Sequence, residues 1–476
     1  MTANRHALLI DFGSTYTKLR AVDLDDPRIV GAGQGPSTVD SDITVGLVRA
    51  LDDLEAKLGI LPAFSYRLAS SSAAGGLRMV TVGLVRELTA EAARQAALGA
   101  GARLVGSFAY KLTSGDLEEI AVLDPDILLL VGGTDGGNEE TVLHNGAMLA
   151  RESLSCPVVF AGNRNALDGV RAEFEQAGKN IVAADNVMPN FGELNIEPAR
   201  AAIRRVFIDR IVHAKGIDRA ANMFDRVLMP TPAAVLEGAR LLGDGGHGRA
   251  GLGSLMVVDV GGATTDVHSI ATGMPQDEGA VYQGLPPPYA MRTVEGDLGM
   301  RHNINSIIEE TGVEIFAADS GLDRDRVAVL TELFSKNVGR LPETSDERAF
   351  DHALARAAVG LSVRRHAGTV ETAYTPMGPV IVQHGKDLRN VTALIGTGGA
   401  LVHGENSDSI LAAALADKSD PMSLRPRAPK LFLDKDYILY ACGLLSMVEP
   451  DVALDFGLAN LHPLTQETRD GRTSVA

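Results

Sequence analysis

The sequence predicts an α/β protein made of two related halves, with a third α/β segment inserted into the first half. Residues 8–18 read LLIDFGSTYTK and residues 255–266 read LMVVDVGGATTD, so an apolar run, an aspartate and a Gly/Ser/Thr-rich turn occur twice. Between the two copies, short apolar runs alternate with glycine-rich loops and helical segments, which is typical of a small parallel sheet. The repeat and this alternation together define the predicted fold class.

Length and composition indicate a globular protein with more than one core. The chain has 476 residues, of which 45% are hydrophobic and 22% are charged, and chains of this length usually form two or three domains. No run approaches the 18 or more apolar residues of a membrane span, and no basic leader precedes an apolar segment. We therefore expect a cytoplasmic protein that does not associate with membranes.

The net charge and the cysteine spacing argue against a nucleic-acid binder, a zinc protein and a disulfide-stabilised protein. The formal net charge of −17 disfavours a nonspecific nucleic-acid binder, because such binding depends on a basic surface that neutralises phosphates. Cys156 and Cys442 lie far apart, without a CxxC motif or a nearby histidine pair. This spacing disfavours both a zinc site and a disulfide framework.

Local patterns place the first repeated turn in a β-hairpin. His6–Ile10 and Lys18–Val22 are predicted as its two strands. Thr44–Leu58 has a helical period, and Arg67–Ser72 is predicted as a further strand. Val80–Leu98 has the composition and period of a helix.

Three short apolar strands are predicted in the inserted segment, at Ile127–Val131, Val158–Ala161 and Ile181–Ala184. Each precedes a glycine-rich or polar loop and a helical stretch, except the last, and this repetition indicates a parallel sheet. The loop Gly132–Asn138 is either a site for a phosphate or a partner, or a plain turn between strand and helix.

The second half is reached through a predicted helix and a linker. Thr231 is predicted as the N-cap of the helix, with Pro232 in its first turn, and Asp244–Gly253 is rich in glycine. The predicted organisation is a first half at residues 1–84 and 225–250 with a C-terminal helix at 435–460, an inserted α/β domain at 85–224, a second half at 251–434, and a flexible tail at 461–476.

Each repeated turn has the chemistry of a phosphate site. Backbone N–H groups and hydroxyls surround a phosphate without adding charge. Asp11 and Asp259 end the preceding strands, where a carboxylate holds Mg²⁺ through water or orients an attacking water; they are the predicted catalytic and metal-binding residues. The predicted phosphate contacts are Gly13, Ser14, Thr15, Thr17 and Lys18 in the first turn, and Gly261, Gly262, Thr264 and Thr265 in the second. Lys18 has the alternative of being a solvated strand residue.

A third glycine-rich loop follows a predicted strand at Val391–Ile395. Gly396, Thr397, Gly398 and Gly399 offer neither an acid nor a base, and glycines allow a nucleoside to lie close to the backbone. We assign these four residues to the nucleoside end of the ligand. The three loops together predict ATP and Mg²⁺ as cofactors.

The order of these motifs resembles that of the actin, sugar kinase and 70-kDa heat-shock ATPase superfamily. DFGSTYTK at 11–18 and TPAA at 231–234 are followed by DVGGATTD at 259–266 and GTGGA at 396–400. The resemblance implies duplicated actin-like ATPase (ribonuclease H-like) halves around a nucleotide cleft. Ala263 stands where chaperone members usually carry glycine, and this departure leaves the rate of ATP hydrolysis open.

Longer stretches are similar to the glutamate mutase L (methylaspartate mutase accessory protein) family. These stretches are Ser71–Met79, Leu129–Asn138, Val257–Ser269 and Leu431–Tyr437. The resemblance implies a chaperone-like reactivating factor and slow ATPase, whose partners are subunits of an adenosylcobalamin-dependent mutase or aminomutase.

Direct cobalamin binding through His268 is disfavoured by its surroundings. A cobalt-binding histidine stands in an Asp-x-His-x-x-Gly pattern, whereas here the next glycine after His268 is Gly273, which is two positions too late. The histidine also lies directly after a phosphate turn. We therefore do not expect the chain to hold cobalamin itself.

Two other functions remain open for the same nucleotide loops. One is a small-molecule kinase, which needs an acid placed to accept a proton from a substrate hydroxyl. The other is an ATP-driven activator of a 2-hydroxyacyl-CoA dehydratase, in which two cysteines of each subunit bridge an iron–sulfur cluster. An ATP-coupled amidase ranks last. The identity of the client mutase and the oligomeric state stay open.

Overall fold

The protein forms two compact α/β units. Unit 1 comprises Met1–Gly238 and Tyr440–Phe456, and unit 2 comprises Ala239–Leu439 and Gly457–Ala476. The computed structural model describes residues 5–13, 16–38, 42–71, 77–85, 90–152, 154–214, 223–246, 248–376 and 378–464.

The first sheet of unit 1 has five strands in the order β10-β4-β1-β2-β3. The strands are β1 (His6–Phe12), β2 (Tyr16–Asp23), β3 (Arg28–Pro36), β4 (Phe64–Ser71) and β10 (Arg226–Pro230). β1 pairs antiparallel with β2 and parallel with β4, β2 pairs antiparallel with β3, and β4 pairs parallel with β10. The predicted hairpin and the predicted strand at 67–72 are confirmed.

Helix α1 (Ile43–Leu58) covers one face of this sheet, as its period predicts. It begins where the carboxylate of Asp42 accepts a hydrogen bond of 2.9 Å from the backbone N–H of Thr44, which is the usual role of an N-cap aspartate. Leu47 and Leu54 on one side of the helix are fully buried.

The second sheet of unit 1 is parallel throughout. Its strands are β5 (Leu77–Gly83), β6 (Ala102–Ala109), β7 (Ile127–Leu130), β8 (Val158–Phe160) and β9 (Ile181–Ala183), in the order β6-β5-β7-β8-β9. The central strands are buried on both faces, as expected for a parallel sheet covered by helices. The parallel sheet predicted from three apolar strands is confirmed.

The predicted helix at Val80–Leu98 is wrong. Its first part is β5, and its last part belongs to a helix, α2 (Glu91–Gly99), while residues 86–89 lie outside the described residues. A central strand that is apolar on both faces has no alternating pattern, so periodicity does not distinguish it from a buried helix. Because β5 pairs with β6 and β7, the second sheet begins at Leu77, before the expected boundary at residue 85.

The other helices of unit 1 connect the strands of its two sheets. They are α3 (Ser114–Leu123), α4 (Glu140–Arg151), α5 (Leu167–Gln176), α6 (Glu197–Ala214) and α7 (Thr231–Asp244). The division between the units falls within α7, after Gly238, rather than in the glycine-rich linker at 244–253. That segment contains two short paired strands, β11 (Gly245–Gly246) and β12 (Arg249–Ala250).

The main sheet of unit 2 repeats the topology of the first sheet of unit 1. Its order is β16-β14-β13-β19-β20-β21. The strands are β13 (Leu255–Val260), β14 (Thr265–Ile270), β16 (Ala290–Glu295), β19 (Ala393–Thr397), β20 (Lys430–Leu433) and β21 (His462–Pro463). β13 pairs antiparallel with β14 and parallel with β19, just as β1 pairs antiparallel with β2 and parallel with β4. β14 pairs antiparallel with β16, and β19 pairs parallel with β20. The expected fold class, with duplicated halves and an additional α/β part, is confirmed.

A small sheet and six helices complete the body of unit 2. The small sheet has the order β15-β18-β17 and comprises β15 (Val281–Gln283), β17 (Thr369–Thr375) and β18 (Gly378–His384). The helices are α8 (Ile304–Thr311), α9 (Val313–Ser320), α10 (Arg324–Lys336), α11 (Ser345–His366), α12 (Gly399–His403) and α13 (Ser407–Ala412). The rings of Phe316 and Phe334 pack on Phe350 at centroid distances of 5.3 and 5.8 Å, so aromatic packing fixes α9 and α10 against α11.

The C-terminal segment contains two helices where one was expected at 435–460. They are α14 (Leu439–Leu445) and α15 (Pro450–Asn460). Pro450 is the first residue of α15, a position where the missing N–H of proline costs nothing, whereas the same proline would interrupt one continuous helix. Most of the expected tail, from residue 465 onward, lies outside the described residues.

Among the helices of the described segments, not one combines the length and apolar character needed to cross a bilayer.

A buried histidine pair lies under the second repeated hairpin. His366 contacts the hydroxyls of Thr293 and Ser269, each at 2.8 Å. His268 is also buried, and its Nδ1 has no hydrogen-bond partner among the described residues. Burial and the nearby charges of Arg292 and His366 hold the pKa of His268 well below 6.5.

We expect the stability of unit 2 to fall as pH decreases below about 6.5, because His268 then takes up a proton in the unfolded chain but stays neutral when folded. The loss is at most about 1.4 kcal/mol per pH unit. Urea unfolding at pH 7.5 and 5.5 should show a smaller pH-dependent loss for His268→Gln than for the natural protein. An equal loss in both proteins would contradict the assignment.

Candidate functional site

The two repeated turns have the same backbone geometry. The N–H of Gly13 donates to the carbonyl of Tyr16 at 3.1 Å, and the N–H of Gly261 donates to the carbonyl of Thr264 at 2.9 Å. A Cβ atom at Gly13 or Gly261 would lie 2.6 or 2.9 Å from the same carbonyl oxygens. Both turns therefore require glycine two residues after the aspartate.

Asp11 is held in the interior at the end of β1, where its side chain is 7% exposed. Its Oδ1 accepts hydrogen bonds from the hydroxyls of Thr231, at 2.6 Å, and Ser70, at 3.2 Å. Burial raises the pKa of Asp11, while the bond from Thr231 and the charge of Lys18 act in the opposite direction. Thr231 is thus the first residue of α7 and a partner of Asp11, rather than the predicted N-cap.

The predicted phosphate contacts of the first turn do not all lie on the same side of the sheet. Ser14 and Thr15 lie outside the described residues. Thr17 is buried, and its hydroxyl lies 3.2 Å from the position of a Cβ at Gly46 in α1. The hydroxyl therefore faces α1, on the opposite side of the sheet from Asp11, and the phosphate contact of Thr17 stays a prediction. Lys18 is half-buried directly opposite Asp11 in the β1–β2 ladder.

The third predicted loop contacts the end of the second repeated strand. Thr397 is paired with Asp259 in the parallel ladder of β19 and β13. Gly398 has φ +93°, and a Cβ there would lie 2.3 Å from the carbonyl oxygen of Val260 and 2.8 Å from Oδ1 of Asp259. Only glycine satisfies both the left-handed backbone and this close approach.

In the second turn, Thr265 has a structural role. It is buried, and its hydroxyl donates to the carbonyl of Leu298 at 2.7 Å. The carbonyls of Gly261 and Gly262 accept from the backbone N–H groups of Met300 and Arg301, at 3.1 and 2.9 Å. The turn is thus hydrogen-bonded to the segment that follows β16, and the phosphate contact of Thr265 stays a prediction. Thr264 is half-buried in the turn.

Two of the four residues assigned to the nucleoside end are interior. Gly396 lies in β19 against Leu401 and Leu411. The hydroxyl of Thr397 lies 3.4 Å from the carboxylate of Asp434, which accepts from the backbone N–H of Ile438 at 2.7 Å. Gly396 and the Thr397 hydroxyl therefore support the loop, and their assignment to the nucleoside end stays a prediction.

A cavity of about 920 Å³ in unit 2 brings the second and third loops together. Its wall includes Gly261 and Gly262 of the second turn and Gly399 of the third loop. The volume lies within the range of small-molecule sites. Its charged and histidine lining residues are Arg301, Asp319, Arg348, Asp351, His352, His403 and Glu405.

Charged side chains that sequence reasoning missed border this cavity. Arg301 forms an ion pair of 2.7 Å with Asp351, and its guanidinium carbon lies 5.4 Å from the ring centroid of Phe334. Burial lowers the pKa of His352, and its Nε2 has no hydrogen-bond partner in the described part of the chain. Arg348 adds a second positive charge. In the sequence these residues belong to an ordinary helix and a turn, so no local motif distinguishes them.

A family model with the description MutL protein matches residues 7–460 of the chain. Protein MutL from Clostridium tetanomorphum is 47% identical over 451 residues, which cover 94% of this chain and 97% of that protein. The chain belongs to the MutL (glutamate mutase L) family. The family predicted from four sequence stretches is confirmed, although Ser72–Gly76 of the first stretch lie outside the described residues.

Solved structures similar to this MutL family member include sugar kinases and a carboxylase. Xylulose kinase from Bifidobacterium adolescentis has a TM-score of 0.31 at 13% identity, covering 97% of this chain and 96% of that chain. Gluconate kinase from Lactobacillus acidophilus has a TM-score of 0.36 at 10% identity, covering 97% and 93%. Nucleotide-free acetone carboxylase has a TM-score of 0.38 at 16% identity, covering 93% and 70%. These scores are low, and the fold assignment rests on the repeated sheet order.

We expect Gly398→Ala to destabilise unit 2 by more than about 1–2 kcal/mol, because the methyl group combines an unfavourable left-handed backbone with contacts to Val260 and Asp259. Gly399→Ala is the matched control, since nothing lies within 4 Å of a Cβ there. Thermal unfolding of the two variants should differ clearly. Equal midpoints would contradict the packing of Gly398 against the strand end.

Proposed function

We propose that this MutL family member is an ATP-dependent accessory factor that reactivates an adenosylcobalamin-dependent mutase of the glutamate mutase or aminomutase type. The observation that carries the nucleotide part is the cavity of unit 2, which borders both a phosphate-type turn at Gly261–Gly262 and the glycine loop at Gly399. Membership of the MutL family supports a mutase as the partner.

The walls of the cavity combine positive charge with carboxylates and other polar groups. Arg301 and Arg348 supply positive charge for phosphates, and each also has an acidic neighbour, Asp351 at 2.7 Å and Glu405 at 3.8 Å. Asp351 and His352 present polar atoms in a partly buried helix, with which a nucleoside can form hydrogen bonds. Glycine at position 399 leaves room for the ligand beside the backbone. We assign the nucleoside to this cavity.

The carboxylates of the repeated turns fit Mg²⁺ bound through water. Within the described residues, no group of three or more His, Cys, Asp or Glu side chains is close enough to hold a metal by itself. Mg²⁺ keeps several waters and commonly takes one or two carboxylates together with substrate phosphates. Asp11 in unit 1 and Asp259 in unit 2 lie near the ends of equivalent strands, and each is a candidate to hold Mg²⁺ through water. When bound, Mg²⁺ would neutralise phosphate charge, while the carboxylate beside it orients its waters.

The second sheet of unit 1 is the proposed contact with the mutase. It begins at Leu77 and is absent from the repeated pattern that unit 2 shares with the first sheet. Nucleotide hydrolysis drives the partner only if ATP and ADP stabilise different conformations of the factor. In this proposal the repeated turns distinguish the two nucleotides, because the terminal phosphate is the group that hydrolysis removes.

Cysteine placement does not favour the iron–sulfur activator alternative. Cys156 and Cys442 are both buried and form no disulfide. Cys156 lies before β8 in the second sheet, whereas Cys442 lies in α14. A cluster bridged between subunits requires accessible thiolates, which neither residue offers.

A mutase inactivated by damaged cobalamin is the direct test of the proposed function. We expect activity to return after addition of the protein with free adenosylcobalamin, ATP and Mg²⁺, and not when ATP or Mg²⁺ is omitted or replaced by a nonhydrolysable analogue. Recovery without nucleotide, or no recovery with any mutase of this type, would reject the proposal. Phosphorylation of a small molecule in the same mixture would favour the kinase alternative.

Nucleotide affinity tests the cavity separately from the mutase. We expect Arg348→Met to weaken ATP binding about threefold to tenfold, because a positive charge beside the ligand is lost. Arg326→Met is the matched control, since Arg326 lies on α10, pairs with Asp346 and does not line the cavity. Isothermal titration calorimetry measures both. Equal affinities for the two variants would place the nucleotide elsewhere.

A further inference from the structure

Three polar side chains meet at the end of β1, and we call them the Asp11 cluster: Asp11, Ser70 and Thr231. Each comes from a different element, namely β1, β4 and the start of α7. The Thr231 hydroxyl lies 2.6 Å from Oδ1 of Asp11 and 3.2 Å from the hydroxyl of Ser70, which in turn lies 3.2 Å from the same Oδ1. Packing alone does not account for the burial of these three polar side chains in one place.

The two oxygens of Asp11 have different surroundings. Both hydroxyls of the Asp11 cluster lie within hydrogen-bonding distance of Oδ1. Oδ2 lies on the side of the turn, 3.7 Å from the position that a Cβ of Gly13 would take. One oxygen is thus occupied by the protein and the other faces the phosphate turn, so the hydroxyls fix the rotation of the carboxylate.

Thr231 connects the start of α7 to the acid. Its hydroxyl donates to Asp11, and its two lone pairs stay available as acceptors. Thr231 is half-buried, stands directly after β10 and is the first residue of α7. Its hydrogen bond therefore links the end of β1 to the first turn of that helix.

The equivalent positions of unit 2 are used differently. Thr397 is paired with Asp259 as Ser70 is paired with Asp11, and Asp434 follows β20 as Thr231 follows β10. The Asp434 carboxylate accepts from the N–H groups of Ile438 and Leu439, at 2.7 and 3.3 Å. Thr231, which donates a hydrogen bond to the acid in unit 1, is thus replaced in unit 2 by Asp434, which accepts hydrogen bonds from backbone N–H groups.

We infer that Ser70 and Thr231 are positioning residues, which hold Asp11 through Oδ1 so that Oδ2 is presented to the Mg²⁺-bound water of a nucleotide at the first turn. This inference rests on the proposed nucleotide function. Neither residue touches the ligand, and both act through Asp11. Their effect is therefore on how Mg²⁺ supports nucleotide binding and turnover, rather than on the nucleoside cavity of unit 2.

The test compares Thr231→Ala, Ser70→Ala and Thr231→Ser in the full chain. We expect each alanine variant to need about tenfold more Mg²⁺ for half-maximal ATP binding or hydrolysis, as expected for one lost hydrogen bond to a carboxylate. Binding of adenosine without phosphates should stay within twofold of the natural protein. Thr231→Ser keeps the hydroxyl and should restore the natural Mg²⁺ requirement.

Thr81→Val is the matched control for loss of a buried hydroxyl. The Thr81 hydroxyl donates to the hydroxyl of Ser107 at 3.1 Å in the second sheet of unit 1, away from the Asp11 cluster. This variant should lose thermal stability without changing the Mg²⁺ requirement. If Thr231→Ala does not fold, Ser70→Ala provides the same comparison.

The outcomes distinguish this inference from the proposed function. Folded alanine variants with the natural Mg²⁺ requirement would overturn the role of Ser70 and Thr231, while Mg²⁺-dependent ATP binding by the natural protein would leave the proposed function standing. Absence of any Mg²⁺-dependent ATP binding by the natural protein would overturn both. A raised requirement in Thr81→Val as well would assign the effect to lost stability.

Discussion

The close backbone approach within each repeated turn is the constraint on which the rest of the structure depends. In both turns a glycine N–H reaches the carbonyl three residues ahead, and any side chain there would collide with that oxygen. The hairpin therefore closes directly after the aspartate, and its carboxylate is placed at the strand end. Strand register then fixes the neighbour of each acid, Ser70 beside Asp11 and Thr397 beside Asp259.

The two halves share this geometry but not the chemistry around it. The acid of unit 1 is enclosed and takes hydroxyl donors from β4 and α7. The turn of unit 2 opens instead onto a large cavity with arginines in its wall. The duplicated frame thus carries different side chains: hydroxyls around a buried acid in one copy, and arginines beside a cavity in the other.

Sequence reasoning succeeded where a local pattern fixes a local structure. The hairpin around Gly13 and the repeated turn at Gly261 follow from motifs of a few residues. It failed for β5, because a strand buried on both faces lacks alternation. It also gave no sign that the hydroxyls of Thr17 and Thr265 are buried, because a hydroxyl in a polar motif can point into the sheet. The contacts of Asp11 with Thr231 join residues 220 positions apart, and no motif predicts such a pair.

The position of Thr231 at the start of α7 has a mechanical consequence. The chain first leaves unit 1 after Gly238, in the middle of this helix. At this crossing the connection is a continuous helix and not a flexible linker. A helix resists bending, whereas a loop absorbs small displacements in its own dihedral angles. Any shift of Asp11 that moves Thr231 therefore acts on the first residue of a continuous helix of 14 residues, which passes the shift along its axis and does not absorb it as a loop would.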